Sequence, residues 1–295
     1  MRPFFEGTRP GRAVRLGTAE FELPVLYFRD DSFGALFTAD LERLRAAMPS
    51  QKLYPVPHST PGRGLIYIGC FNYLDTSVGP YGEVAVVVPA VYGRRPPPVL
   101  PSIFEGRWPG FGGVILHLPV TTRLTRDGGR LYWGYAKFVA DMRFQSTPEF
   151  HQCRLDEGGR HIFTLRVVKR GPPLPDRRPL ITYSVKDGAL VRTTIPQSAL
   201  VRMALGGGGS SLELGDSHPV AMSIRELGID PRPVMTRSNL DRSAILPEGE
   251  VVEQGVRPLE GYLGVEREEG ELLTTHLPIP VPPPGAPEVR PSASV

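Results

Sequence analysis

Hydrophobic and polar positions alternate along this chain in short runs punctuated by glycine and proline, the pattern of antiparallel strands joined by tight turns. Residues 21–28 form the first apolar run; Pro24 interrupts it, which suits an edge strand or the beginning of one. Runs 64–73 and 83–90 are rich in β-branched and aromatic residues. The glycine- and proline-dense stretch between them, 75–83, joins them as a β-arch or hairpin. A further strand is predicted at 114–120, then a turn at Arg126-Asp127-Gly128-Gly129. Beyond it Phe138, Ala140, Met142 and Phe144 alternate with Val139, Asp141, Arg143 and Gln145, the period of a half-buried strand. That register puts Lys137 on one face with Val139, Asp141 and Arg143, so a salt bridge from Lys137 to Asp141 is one structural role for it. Strands at 151–155, 161–169, 180–185 and 190–195 follow as a meander, turning at Asp156-Glu157-Gly158-Gly159 and at Lys186-Asp187-Gly188.

Two segments carry helical periodicity instead. In the first, Thr38 caps, Asp40 sits in the first turn, Leu41, Leu44 and Met48 share a face, and Pro49 stops the helix. In the second, Ser217 caps, Pro219 suits the first turn, and Val220, Ile224 and Leu227 line one face before Gly228. The glycine run 206–209 lacks the Gly-Lys-Ser/Thr ending of a phosphate loop and reads as a plain loop. Segment 93–101 is polyproline-like, 107–113 irregular and 232–236 extended. The pattern divides into one domain over 1–275 and a proline-rich flexible tail over 276–295, too poor in apolar residues to order itself.

Composition narrows the classes. The 33 glycines and 33 prolines in 295 residues favour turns over long helices, and 40% hydrophobic residues suffice for a real core. A formal charge of +3 from scattered basic residues gives no field for nucleic acid. Two distant cysteines, Cys70 and Cys153, form neither a disulfide framework nor a zinc pattern, and fit a reducing compartment. With no secretory signal at the N-terminus and no run long enough to span a bilayer, the expectation is a cytoplasmic protein without a membrane partner. His151, Cys153 and His161 match no metal-site spacing, so no metal is expected. The absence of Gly-x-Ser-x-Gly and of Gly-x-Gly-x-x-Gly after a strand removes the usual hydrolase and dinucleotide signatures.

The candidate chemistry centres on Tyr132-Trp133-Gly134-Tyr135-Ala136-Lys137-Phe138-Val139-Ala140, which surrounds one lysine with aromatic and small apolar residues. An ammonium moved toward low dielectric loses hydration, which favours the neutral amine, and a neutral amine is the nucleophile that makes a Schiff base with a ketone. The alternative is an ordinary snorkelling lysine. Glu83 opens an otherwise apolar strand, either at a wet edge or held at a site.

The order of these segments resembles the acetoacetate decarboxylase family. The helix near 40–48 is similar to its early helix, Asp75-Thr76-Ser77 through Glu83 to its glycine-containing turn ending in a glutamate, and Trp133-Gly134-Tyr135-Ala136-Lys137 to its aromatic-Gly-aromatic-Pro-Lys motif. Leu212-Glu213-Leu214-Gly215-Asp216 and the following helix resemble its last barrel segment, so the likeness covers roughly residues 20–255. The resemblance implies a mainly β, β-rich α+β fold: an antiparallel β-barrel or cone with a few short helices. It implies Lys137 as the Schiff-base lysine and Glu83 as an active-site glutamate, a small-molecule oxo acid as substrate, no cofactor, and a homo-oligomer. Tyr81, Tyr73, Tyr135 and Phe138 are then candidate substrate-binding residues, the first two as hydroxyl donors, and Tyr135, Phe138 and Val139 the groups that desolvate the lysine. The chain departs from the family pattern in three places: Phe138 replaces the second lysine of the decarboxylase, Gly69 stands where a further glutamate belongs, and 21–27 holds no arginine. Three readings follow, led by Schiff-base decarboxylation of a β-oxo acid. The others are an aldolase-dehydratase condensing pyruvate with an aldehyde, and a barrel that binds small molecules without catalysis.

Overall fold

In the computed structural model, residues 3–9, 11–16, 19–99, 108–259 and 261–265 are described. The tail expected at 276–295 lies outside them, as do parts of the irregular segments predicted at 93–101 and 107–113. The strands, numbered in chain order, begin with β1 (Arg12–Leu16), β2 (Ala19–Leu23), β3 (Val25–Asp40), β4 (Leu53–Pro55), β5 (Arg63–Thr76), β6 (Tyr81–Tyr92) and β7 (Phe111–His117). After a helix over Arg123–Trp133 come β8 (Asp141–Ser146), β9 (Phe150–Glu157), β10 (Arg160–Val168), β11 (Leu174–Asp176), β12 (Leu180–Lys186), β13 (Ala189–Ile195), β14 (Gln197–Leu205) and β15 (Ser211–Leu214). Strands β16 (Met235–Leu246) and β17 (Glu250–Gln254) close the series. Among the described residues the α-helices are α1 (Leu41–Ala46), α2 (Arg123–Trp133) and α3 (Pro219–Glu226).

The large sheet runs β11-β14-β16-β3-β5-β6-β7-β12-β13-β17, with β4 paired to β6, and it curls into a half-barrel that brings β13 against β16. Its pairings are antiparallel except β7 with β12. A second sheet, β15-β10-β9-β8, packs on the outside of the curl: Phe163, Leu165, Leu155 and Cys153 share one buried cluster with Phe33, Phe37, Ile66 and Ile68 of the large sheet. The other face of the curl, the concave one, forms a separate cluster around Tyr27, Tyr73, Tyr81, Tyr135 and Leu246. Strands β3, β5 and β6 therefore have apolar residues on both faces, which is why they read as nearly continuous hydrophobic runs.

The predicted hairpin between 73 and 83 is present, with Tyr73 opposite Tyr81. Both predicted helices form, the first with its cap two residues beyond the predicted one and the second with its cap one residue beyond. Asp40, not Thr38, caps α1 by accepting from the Arg43 amide, and Thr38 belongs to β3; His218, not Ser217, caps α3 through the Val220 amide. The larger correction is at Arg126-Asp127-Gly128-Gly129. These residues are not a turn but the middle of α2, capped by Thr122 at the start and by Gly134 at φ 67° after its end. Two mid-helix glycines cost roughly 1 kcal/mol each against alanine. Neighbours account for both: a Cβ on Gly128 would meet Phe21 at 3.3 Å, and one on Gly129 would meet Lys137 at 2.5 Å.

Candidate active site

Lys137 does not start a strand. After the Gly134 cap the chain passes through 134–138 before β8 begins at Asp141, so the register that paired Lys137 with Asp141 is absent. Backbone hydrogen bonds hold this segment instead: the Leu118 amide donates to Ala136 O (3.0 Å) and the Val120 amide to Phe138 O (2.9 Å). The 118–121 stretch is in turn tied to β6, with the Val84 amide donating to Pro119 O and the Thr121 amide to Gly82 O, both at 3.0 Å. Through this stitching the Lys137 side chain arrives beside Glu83.

Lys137 Nζ donates to Glu83 Oε2 at 2.7 Å, and the two residues are 4% and 8% exposed. Tyr73 donates its hydroxyl to Glu83 Oε1 at 3.1 Å, and the Tyr27 and Tyr81 hydroxyls lie 3.0 Å apart. Burial first, and the Glu83 charge after it, push the Tyr73 hydroxyl well above its ordinary pKa, so it remains a donor. Burial likewise raises Tyr27, Tyr81 and Tyr135, the last to about 12. The Lys137 ammonium position lies 5.8 Å from the Tyr81 ring centre and 6.0 Å from that of Tyr135.

Behind the lysine, Arg130 on α2 donates from Nε to Lys137 O (2.6 Å) and from Nη2 to Leu263 O (2.8 Å), while its buried Nη1 finds no partner among the described residues. Burial, then the Arg126 charge, lowers this guanidinium to about 10. Arg130 therefore fixes the lysine backbone, and Gly129 one residue earlier leaves room for its methylenes.

Lys137 and Glu83 sit on the wall of a cavity of about 180 Å³ enclosed by the curled sheet. Most of its lining is apolar, including Phe71, Val87, Ile115, Ile181 and Ile195. Tyr73 and Tyr135 line it as well, so the structure brings together four of the residues singled out in sequence: Lys137, Glu83, Tyr73 and Tyr135. Tyr81 lies one step away, lining a cavity of about 30 Å³ that shares Lys137, Tyr27 and Tyr135 with the first. Phe138 is placed elsewhere. Its ring points into the opposite core, 5.0 Å from the Tyr262 ring and 6.4 Å from that of His218, so it does not line the cavity and the desolvation expected from it comes from Tyr135, Tyr81 and Tyr27.

Strand β16 supplies groups that the sequence reading missed. Arg237, Asn239 and Arg242 face the cavity, and each is engaged: Arg242 with Asp30 (2.6 Å) and Gln197 (2.8 Å), Arg237 with Asp176 (2.5 Å), Asn239 with Ser32 (3.0 Å). Because polar residues alternate here with further polar ones (Thr236, Ser238), β16 has no hydrophobic signal. Tyr27 was hidden for a different reason, being read only as part of an apolar run. His151, Cys153 and His161 go to separate places: His151 stacks on Phe33, Cys153 is in the core, and His161 bonds Asp156. No group of three or more metal-ligating side chains occurs among the described residues, and no helix among them is long and apolar enough to cross a membrane.

The fold has known counterparts. The chain resembles an acetoacetate decarboxylase from Legionella pneumophila (19% identity, TM-score 0.57, covering 78% of this chain and 88% of that one). It also resembles the enduracididine biosynthesis enzyme MppR complexed with pyruvate (11%, 0.52, 78% and 91%) and an acetoacetate decarboxylase-like enzyme from Sphingomonas wittichii (13%, 0.51, 78% and 93%). At these identities the likeness speaks for the fold alone. No curated protein matches the chain in sequence. The family described as acetoacetate decarboxylase (ADC) matches residues 17–221, well over half of the chain and including both Glu83 and Lys137; the chain belongs to the acetoacetate decarboxylase family.

Proposed function

We propose that this protein is a carbon-carbon lyase that acts on an oxo acid through a Schiff base on Lys137, with decarboxylation of a β-oxo acid as its reaction. One observation carries the reading: among the described residues the Lys137 amine hydrogen-bonds to the Glu83 carboxylate, 2.7 Å away, in a largely apolar cavity. Such a pair holds one proton between two atoms. Its transfer from Nζ to Oε2 keeps the pair neutral overall and replaces two opposite charges by a neutral amine and a carboxylic acid.

The amine then adds to the substrate carbonyl carbon, and Glu83 returns the proton to the carbinolamine hydroxyl, which departs as water and leaves an iminium. The bond to the substrate carboxylate breaks with its electron pair moving into the iminium, releasing carbon dioxide and an enamine. Protonation of the enamine carbon and hydrolysis of the resulting iminium give the ketone and regenerate Lys137. Tyr73, held as a donor on Glu83 Oε1, keeps the other carboxyl oxygen aimed.

Borohydride reduction in the presence of acetoacetate or of pyruvate, followed by peptide mass mapping, tests this. The expected result is an adduct on the Lys137 peptide, with carbon dioxide released from the β-oxo acid. An adduct with pyruvate alone and no gas would move the assignment to the aldolase-dehydratase class, and no adduct with either would leave a binding protein.

A further inference from the structure

The cavity is larger and more apolar than a short oxo acid needs, and the sheet register says where the excess lies. The lining of the cavity of about 180 Å³ runs from Lys137 and Glu83 to Val87, Leu36 and Met235, farther than the four carbons of acetoacetate reach. Opposite Glu83 on β5 is Phe71; one step further along the same faces, Ala85 stands opposite Gly69, and Gly69 opposite Gly34 on β3. These three small residues on neighbouring strands clear a trough, and the Tyr67 ring lies down into it: a Cβ on Gly34 would meet its hydroxyl, and one on Gly69 would meet its ring edge at 2.7 Å. One step further again, Met235, Leu36, Tyr67, Val87 and Ile115 follow each other across five strands as an apolar belt, and all five line the cavity. Val87 is four residues from Glu83, about 13 Å along the strand. The arginines on this wall, Arg237 and Arg242, already have carboxylate partners.

We propose that the site takes an oxo acid with a long unbranched apolar tail. The carbonyl sits at Lys137, and the tail runs over Ala85 and the Tyr67 ring to the belt, whose residues set the chain length. The assignment of the carbonyl end rests on the Schiff-base reading, whereas the tail site does not. It also gives Gly69 a physical role: a glutamate there would displace the Tyr67 ring and put a carboxylate in the middle of the trough.

The test uses two probe sets. Butyrate, octanoate and dodecanoate cannot form an iminium, so calorimetry with them reads the tail site alone. Each methylene buried in the trough should tighten binding about fourfold. Equal affinities for butyrate and dodecanoate overturn the proposal. In Ala85→Phe, which fills the trough, the preference for dodecanoate over butyrate should collapse; an unchanged preference places the acid elsewhere and also overturns it. Borohydride trapping then compares 3-oxododecanoate with acetoacetate, and the long acid should be trapped at a concentration at least about a hundredfold lower. Long-chain binding without trapping of either acid keeps the tail site and removes the lysine chemistry; equally efficient trapping of both acids keeps the chemistry and removes the tail site.

Discussion

Two buried glutamates, Glu83 and Glu157, look alike until their surroundings are compared. Glu83 accepts from Lys137 and Tyr73; Glu157 accepts from His218 (2.7 Å), Tyr262 (2.6 Å) and the Val265 amide (3.0 Å). Each pairs with a basic side chain and a tyrosine, and each borders the 134–138 segment, Glu83 on the side of Lys137 and Glu157 on the side of Phe138. The difference is the third neighbour. At Glu157 it is a backbone amide, which ties residues 261–265 onto the barrel; at Glu83 it is a cavity. Burial and a close basic side chain are thus shared by an anchor and a candidate site, and free volume next to the reactive atoms separates them.

Breaking the basic partner in each should show the contrast most strongly. Lys137→Met should abolish borohydride trapping and lower turnover by at least about four orders of magnitude. It also leaves Glu83 buried without its cation, a loss of about 3–5 kcal/mol that Lys137→Met combined with Glu83→Gln should largely restore in denaturant titrations. His218→Gln removes one of three donors to Glu157, so it should cost about 2 kcal/mol and leave trapping at Lys137 intact. Retained trapping in Lys137→Met, or its loss in His218→Gln, would erase the distinction.

Acid should attack the anchor side. Burial lowers His218 against the pull of Glu157, and burial followed by the charge of His218 lowers nearby His117, bonded to Ser223, to about 4. Both imidazoles are therefore neutral in the fold where the unfolded chain would bind protons. The stability they confer is complete above the ordinary value near 6.5 and is lost as pH falls from there toward 4, with about 3 kcal/mol at stake for His117. Thermal melts at constant ionic strength should show this decline, to which His151, also lowered to about 4 by burial, adds in the second sheet, and His117→Gln should make it shallower. A melting temperature that stays level from pH 6.5 to 4.5 would contradict the assignment.

How legible each region was follows from the same physics. The β5–β6 hairpin and the helices α1 and α3 were visible because burial imposes a period on their sequences, and Lys137 and Glu83 because a family pattern passes through both. Helix α2 was not visible: Arg-Asp-Gly-Gly is turn chemistry locally, and only the Phe21 and Lys137 side chains, distant or out of register in sequence, explain two glycines inside a helix. Arg237, Asn239 and Arg242 escaped because a strand facing a partly polar cavity has no hydrophobic alternation to read. The Glu157 cluster escaped because Asp156-Glu157-Gly158-Gly159 was assigned whole to a turn, although Glu157 is still in β9 and points inward.

Those glycines allow a finer cut. Gly129→Ala places a methyl carbon 2.5 Å from both Cδ and Cε of Lys137, so the side chain must shift away from Glu83; trapping should slow by about ten- to a hundredfold at a stability cost of about 1–3 kcal/mol. Gly128→Ala meets only the Phe21 ring edge at 3.3 Å and a Leu16 methyl at 3.5 Å, and gains helix propensity, so its stability should stay within about 1 kcal/mol and trapping should be unchanged. Equal effects from the two substitutions would mean that α2, and not the lysine's room beside it, is what Gly129 serves.

The smallest expected difference lies in the matched tyrosines. Tyr73→Phe removes the donor to Glu83 Oε1, and Tyr262→Phe one donor to Glu157 Oε2; each should cost only about 1 kcal/mol, since the ring packing is retained. What separates them is function. With its Oε1 donor gone, Glu83 can turn about its terminal torsion, so proton delivery to the carbinolamine should weaken by about tenfold, in kcat more than in KM. In Tyr262→Phe the Val265 amide and His218 still hold Glu157, and turnover should match the parent protein within about twofold. Measured side by side at saturating substrate, equal rates in the two variants would mean that Tyr73 serves Glu83 as Tyr262 serves Glu157, as packing alone.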